Sequence, residues 1–101
     1  MAPEQARGET HRVGEPSDVF GLGGVLYFLL TGKSPFSGRT RQEQWRRASR
    51  CDMDRDALRA KGIPRRLERI VLKAMAAEPG DRYASAVEMA EALDDFSRRP
   101  R

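Results

Sequence analysis

Ser17-Asp18-Val19-Phe20-Gly21-Leu22-Gly23-Gly24-Val25-Leu26-Tyr27-Phe28-Leu29-Leu30-Thr31-Gly32 is the stretch that decides the fold. Ser17 is a residue type that caps helix amino termini, and Asp18 puts negative charge where a helix start favours it. From Val19 to Leu30 nearly every side chain is apolar. A helix that is apolar all round belongs inside a protein, and this one is far too short to span a bilayer. Gly21, Gly23 and Gly24 each lower helix propensity by about 1 kcal/mol, so they are expected where another backbone packs close. Thr31-Gly32 ends the helix and Pro35 prevents its return. The expectation is a central, buried helix over 18–30.

Downstream, Thr40 to Arg50 reads as a polar, exposed helix with Trp45 as its one large apolar residue. Residues 51–63 form a charged connector, with a short turn at Asp54–Ala60. Pro64 suits the first turn of a helix. Leu67, Ile70, Val71, Ala74 and Met75 follow at helical spacing and give a single apolar stripe. Glu78-Pro79-Gly80-Asp81 breaks it. Ser85-Ala86-Val87-Glu88 matches a capping box, and behind it Val87, Ala90, Leu93 and Phe96 are placed inward. Upstream, residues 1–16 read as an irregular loop punctuated by Gly8, Gly14 and Pro16. No segment alternates as a strand does, so the fold class is all-α, with about four helices around the apolar one.

Length and composition bound the function. A chain of 101 residues holds one small domain with a modest core. With 39% hydrophobic residues it is too apolar for a fully disordered chain. No apolar run is long enough for a transmembrane helix, and the amino terminus lacks a signal peptide. One cysteine, Cys51, cannot form an internal disulfide, so a cytoplasmic location is expected. Its setting between Arg50 and Asp52 reads as structural rather than reactive. The net charge of +4 concentrates between Arg39 and Arg69, where acidic residues interrupt the basic run.

Several short matches lead nowhere. Thr31-Gly32-Lys33-Ser34 mimics the end of a phosphate-binding loop, yet Tyr27 stands where that loop needs Gly, and Pro35 follows. Gly21-Leu22-Gly23-Gly24 has no strand before it, which a dinucleotide turn requires. His11 is alone in a polar loop, so no metal site is expected. The carboxylates Glu88, Glu91, Asp94 and Asp95 read as a solvated helix face.

The order of motifs resembles the lower part of a bacterial, eukaryotic-type Ser/Thr protein kinase C-lobe. Ala2-Pro3-Glu4-Gln5 resembles the end of the activation segment. Asp18-Val19-Phe20-Gly21-Leu22-Gly23 resembles the start of the long helix F, residues 40–50 helix G, 64–77 helix H and 85–97 helix I. Asp81-Arg82-Tyr83 resembles the turn before that last helix. The resemblance divides the chain into 1–16 (end of the activation segment and loop), 17–97 (partial C-lobe) and 98–101 (basic tail). It implies that Glu4 pairs with Arg82, that Asp18 holds amides of a catalytic loop, and that Val25 and Leu29 support hydrophobic columns. Phe28 stands where many relatives carry an acidic residue for substrate selection, and Gly21 and Gly24 replace commoner small or branched residues.

Phosphoryl transfer in this family needs a Gly-rich loop, a Lys–Glu pair, a catalytic Asp and ligands for Mg²⁺, all upstream of Ala-Pro-Glu. The expectation is therefore a kinase fragment, from a truncated or split gene or a start codon inside the domain. ATP and Mg²⁺ would belong to the complete family, with no catalytic, cofactor or metal residue in this chain and no activity alone. Its expected partner is the rest of a kinase domain in bacterial signalling. A second reading is a stand-alone helical interaction module whose surface is Trp45 with Arg46, Arg47 and Arg50, although a Trp that merely anchors its helix is favoured over it. A third, ranked last, is weak nucleic-acid binding through residues 39–69. With neighbours missing around helix 18–30, the chain is expected to be marginal, to associate, or to need a partner.

Overall fold

The structure, a computed structural model, describes residues 2–9, 11 and 14–98. Its described elements include α1 (Pro3–Ala6), α2 (Glu15–Thr31), α3 (Arg41–Arg50), α4 (Asp56–Ala60), α5 (Arg65–Ala74), the 3₁₀ turn Pro79–Asp81, and α6 (Ala86–Arg98). The described residues contain no strand. Of the basic tail, Arg99 to Arg101 lie outside the described residues.

The apolar helix starts earlier than its sequence suggests. Gly14 is the amino-terminal cap and Pro16 sits in the first turn, where its missing N–H costs nothing. Ser17 is therefore not the cap. It lies one turn inside, where its hydroxyl accepts from the Gly14 amide at 3.3 Å. The carboxyl end is as read: Gly32 takes the left-handed conformation, φ 75°, and its N–H returns to the Phe28 carbonyl at 2.7 Å. That turn leaves no helix start at Lys33-Ser34 for a phosphate to meet.

α2 packs chiefly on α5, and also on α6 and α4, while α5 packs on α6 and α1 on α3. Phe20, Tyr27, Leu58, Val71 and Met75 form one core cluster, and Val19, Ile70, Ala74, Tyr83 and Met89 another. The crossing of α2 on α5 depends on Gly23. A Cβ placed there would lie 2.7 Å from Met75 Cγ and 2.9 Å from Ala74 Cβ. At Gly21 the same atom meets nothing within 4 Å, and at Gly24 it makes only ordinary contacts. Of the three glycines, packing within the chain accounts for Gly23 alone. Gly23→Ala is expected to lower the urea midpoint by the equivalent of about 1–3 kcal/mol, since Ala74 cannot yield without moving backbone. Gly21→Ala is expected to raise it by up to about 1 kcal/mol through helix propensity. Equal effects of the two substitutions would refute this account of the crossing.

The central helix is not covered on all sides. Its buried positions are Ser17, Val19, Phe20, Gly23, Tyr27 and Thr31. Leu22, Val25, Phe28 and Leu29 are 46%, 57%, 54% and 72% exposed. Val25 and Leu29 are thus open surface rather than core. The molecule is a slab measuring 39 × 30 × 16 Å. Packed helix axes lie about 8–10 Å apart, so a slab this thin covers α2 from one side only. Its accessible surface of 6588 Å² exceeds the roughly 5,800 Å² typical of a compact monomer of this mass.

Two further expectations are corrected. Residues 3–6 are a short helix rather than loop: Pro3 suits the first helical position, and Gln5 Oε1 accepts from the Ala2 amide at 3.0 Å. On α6 the inward face is Met89, Ala92, Leu93 and Phe96, while Val87 and Ala90 are exposed. Met89 is the larger apolar residue, and it sets a stripe at i, i+3, i+4 and i+7 that leaves Val87 outside. The hydroxyl of Ser85 does accept from the Glu88 amide, at 3.3 Å.

Candidate functional site

The one buried ionic centre among the described residues joins two positions 78 residues apart. Arg82 follows the turn Pro79–Asp81, and Glu4 lies in the first turn of α1. Nη1 of Arg82 donates to Glu4 Oε2 at 2.7 Å and Nη2 donates to Oε1 at 2.8 Å, a two-pronged fork. Both side chains are fully shielded from solvent. Burying two charges is costly unless every remaining donor and acceptor is met. Here Arg82 Nε donates to the Ala76 carbonyl at 2.8 Å, Nη1 also to Pro16 at 3.2 Å, and Nη2 also to Ala77 at 3.2 Å. All five guanidinium donors are used, which no ammonium could match. The Ser17 hydroxyl donates to Glu4 Oε2 at 2.5 Å, so the buried residue first read as a cap instead serves the carboxylate. The guanidinium carbon also lies 4.7 Å from the centre of the Phe20 ring, a cation–π contact.

Burial by itself pushes the Glu4 carboxyl upward. The hydrogen bonds from Arg82 and Ser17, with the Arg82 charge, outweigh it and lower the group from 4.5 to about 2. A carboxyl depressed in the folded state stabilises the fold at pH above its unfolded value and loses that contribution as pH falls through the folded one. The contribution, about 3 kcal/mol, is expected to vanish between about pH 4.5 and 2. Urea midpoints measured down this range should fall more for the native chain than for Glu4→Gln, which has no such carboxyl to protonate. Parallel profiles would count against the assignment.

α1 has four residues, too few to persist alone, and is clamped from its other side by α3. Trp45 Nε1 donates to the Ala6 carbonyl at 2.8 Å, and Arg7 Nη1 donates to the Ser49 carbonyl at 2.9 Å. Trp45 is still 52% exposed. It faces a groove of about 540 Å³ between α2 and α3, with Phe28, Val25, Pro35 and Phe36. Arg46, Arg47 and Arg50 line a different depression on α3, beside Glu43 and Asp52. The structure therefore does not bring Trp45 and the three arginines together as one surface. Successive helical residues point about 100° apart, a signal that was available in the sequence. Arg59, Arg65 and Arg69 line yet another depression, with Glu68. Arg41 lines the apolar groove with Trp45, so basic residues of 39–69 are divided among three separate depressions, two of which also hold an acid.

Asp18 sits in the first turn of α2, exposed, and its carboxylate meets no partner among the described residues. Cys51 ends α3 in the left-handed region, φ 54°, and its thiol lies 3.3 Å from the Met75 carbonyl. Burial pushes that thiol upward, away from a reactive thiolate. Among the described residues no three His, Cys, Asp or Glu side chains gather as a metal would require. No helix of the described residues is long and apolar enough to cross a membrane.

No family model matches the chain. Individual proteins do. Serine/threonine-protein kinase PknB of Mycobacterium tuberculosis is 42% identical over 89 residues, which are 88% of this chain and 14% of that protein. Tyrosine-protein kinase MasK of Myxococcus xanthus is 40% identical over 96 residues, 95% of this chain and 15% of that protein. Among solved structures, the twitchin kinase region from C. elegans superposes with a TM-score of 0.77 at 32% identity, covering 92% of this chain and 16% of that one. The chain spans about one seventh of the length of the curated relatives it matches.

Proposed function

The chain is a homologue of bacterial serine/threonine-protein kinases over a small part of their length, and from that premise we propose that it is the lower, helical part of a kinase C-lobe, working with the rest of such a domain in ATP-dependent phosphoryl transfer to protein Ser or Thr. The observation that carries this reading is the Arg82 fork on Glu4. Phosphoryl transfer is catalysed mostly by positioning and charge neutralisation. A segment that ends at Ala2-Pro3-Glu4 and lies against substrate must be held still. Here it is pinned by Arg82 and Ser17 on one side and by Trp45 and Ser49 on the other.

On this reading the chain supplies the platform. ATP, Mg²⁺ and the catalytic carboxylate belong to the other part, and the isolated 101 residues transfer no phosphate. The open face of α2 is where the remainder of a kinase domain would complete the core. Residues 17–97 are the platform proper, Asp18 is left free to meet a loop of the catalytic part, and the assembly works in the bacterial cytoplasm. The test is a chimera in which this chain replaces the matching 89 residues of the M. tuberculosis relative. Phosphoryl transfer to a protein substrate should survive in the chimera, and be lost with Arg82→Met. A chimera that folds and binds ATP yet transfers nothing would refute the reading.

A further inference from the structure

We propose that the depression between α4 and α5 is a docking site for an acidic peptide segment of a partner protein. Arg65 and Arg69 grip carboxylates on either side of an aliphatic side chain that rests on Ile63 and Leu72. The inference goes beyond the kinase reading and does not depend on it. Arg59 of α4, Ile63 of the connector, and Arg65, Glu68, Arg69 and Leu72 of α5 surround about 460 Å³. The four residues of α5 share one face, at i, i+3, i+4 and i+7. Ile70, Val71 and Ala74 lie on the opposite face and are buried in the core. No residue of α2 lines the depression. It opens on the side of α5 turned away from α2, so a body that covers the bare face of α2 leaves it free.

Two of its three arginines have no role within the chain. Arg59 donates from Nε to Glu68 at 3.5 Å. Next along α5, Arg66 reaches Asp95 at 3.5 Å and lies over the Phe96 ring. Arg65 and Arg69 are exposed and meet no partner among the described residues. Neither favours the fold where it stands. They are like charges one turn apart, and Arg65 opens the helix, where the dipole disfavours a cation. Glu68 is the one acid lining the depression, and Arg59 already engages it. The two free guanidinium forks therefore set the sign of the site, and a planar fork grips a carboxylate two-pronged. Ile63 and Leu72 are half-buried, packed on the core from one side and lining the depression with the other. An aliphatic side chain laid on them removes that apolar surface from water. The depression on α3 also holds two unpaired arginines, Arg46 and Arg50, but it has no apolar floor and holds two acids, Glu43 and Asp52. A hollow with both a cationic rim and an apolar floor fits a peptide chain better than a flat anionic membrane.

Fluorescence anisotropy of the full chain with a labelled peptide, Glu-Asp-Glu-Leu-Glu-Asp-Glu, tests this. The expected result is saturable one-to-one binding that weakens as salt is added. Arg65→Glu should lower the affinity about tenfold or more. The same variant should leave the urea midpoint unchanged or higher, because an acid suits the first turn and pairs with Arg69 at i, i+4. Arg69→Gln should lower the affinity as well, so the conclusion does not hang on one variant. Arg46→Glu with Arg50→Glu, on α3, should leave it unchanged. Replacing the peptide's Leu by Ser should weaken binding about tenfold. Absence of binding, equal loss from the α3 variant, or indifference to the Leu would overturn the proposal. So would a fall in stability that accounts for the lost binding, or tighter binding to phosphatidylserine vesicles or duplex DNA than to the peptide. None of these outcomes bears on phosphoryl transfer, which the chimera tests separately.

Discussion

Arg82→Met is expected to cost about 3–5 kcal/mol, the range for removing one partner of a buried ion pair. That is a large part of the 5–15 kcal/mol that holds a typical domain together. The substitution strands the Glu4 carboxylate, fully shielded, with the Ser17 hydroxyl as its remaining side-chain partner. It also strips a donor from the carbonyls of Pro16, Ala76 and Ala77. Arg82→Lys is expected to rescue little, because a point ammonium cannot serve five acceptors arranged about a plane. The double variant Glu4→Met with Arg82→Met should be more stable than Arg82→Met alone, since it buries no unpaired charge. Urea titration of the native chain, Glu4→Met, Arg82→Met and the double variant measures the coupling. A single-variant cost below about 1 kcal/mol would mean that the fork contributes little to stability.

Leu58→Ala is expected to cost about 2–5 kcal/mol. Leu58 is fully buried, and α4, the helix that bears it, has five residues. So short a helix persists only through what it packs against. Around it, Tyr27 donates its hydroxyl to the Asp54 carbonyl at 2.6 Å, and Asp54 Oδ1 accepts from the Ala57 amide at 3.2 Å. Truncating Leu58 should therefore release residues 54–60 before the rest. Hydrogen exchange should accelerate there first, with α5 protected longer. Uniform loss of protection would show that α4 belongs to the same cooperative unit as the core.

How much of this was legible depends on how local each signal is. The apolar stretch 18–30, its Gly32 stop and the stripe from Leu67 to Met75 are strong periodic signals, and their helices stand where those signals put them. The start of α2 was misread because Ser17 is an excellent cap in isolation. Its hydroxyl was taken instead by a carboxylate 13 residues upstream, a contact that no local pattern reveals. α1 was missed because four residues hold a helix only when clamped, and the clamps come from α3 and from Arg82. Hydropathy identified α2 as a helix meant to be covered, but it cannot tell whether the cover lies in the same chain. The separation of Trp45 from Arg46, Arg47 and Arg50 is different, since helical geometry alone was enough to find it.

Glu4 and Arg82 are 78 positions apart. A ribosome adding about 5–20 residues per second makes the first of them roughly 4–16 s before the second. Throughout that interval Glu4 is an ordinary solvated carboxylate, and α1 has nothing to close on from that side. The bridge is thus a completion signal built into the order of synthesis: residues 2–6 can lock down only after the turn at Pro79–Asp81 has been made. A chain cut short anywhere before that turn keeps its apolar helix but leaves residues 2–6 without the Arg82 anchor, and so presents to a protease a segment that the completed fold holds down.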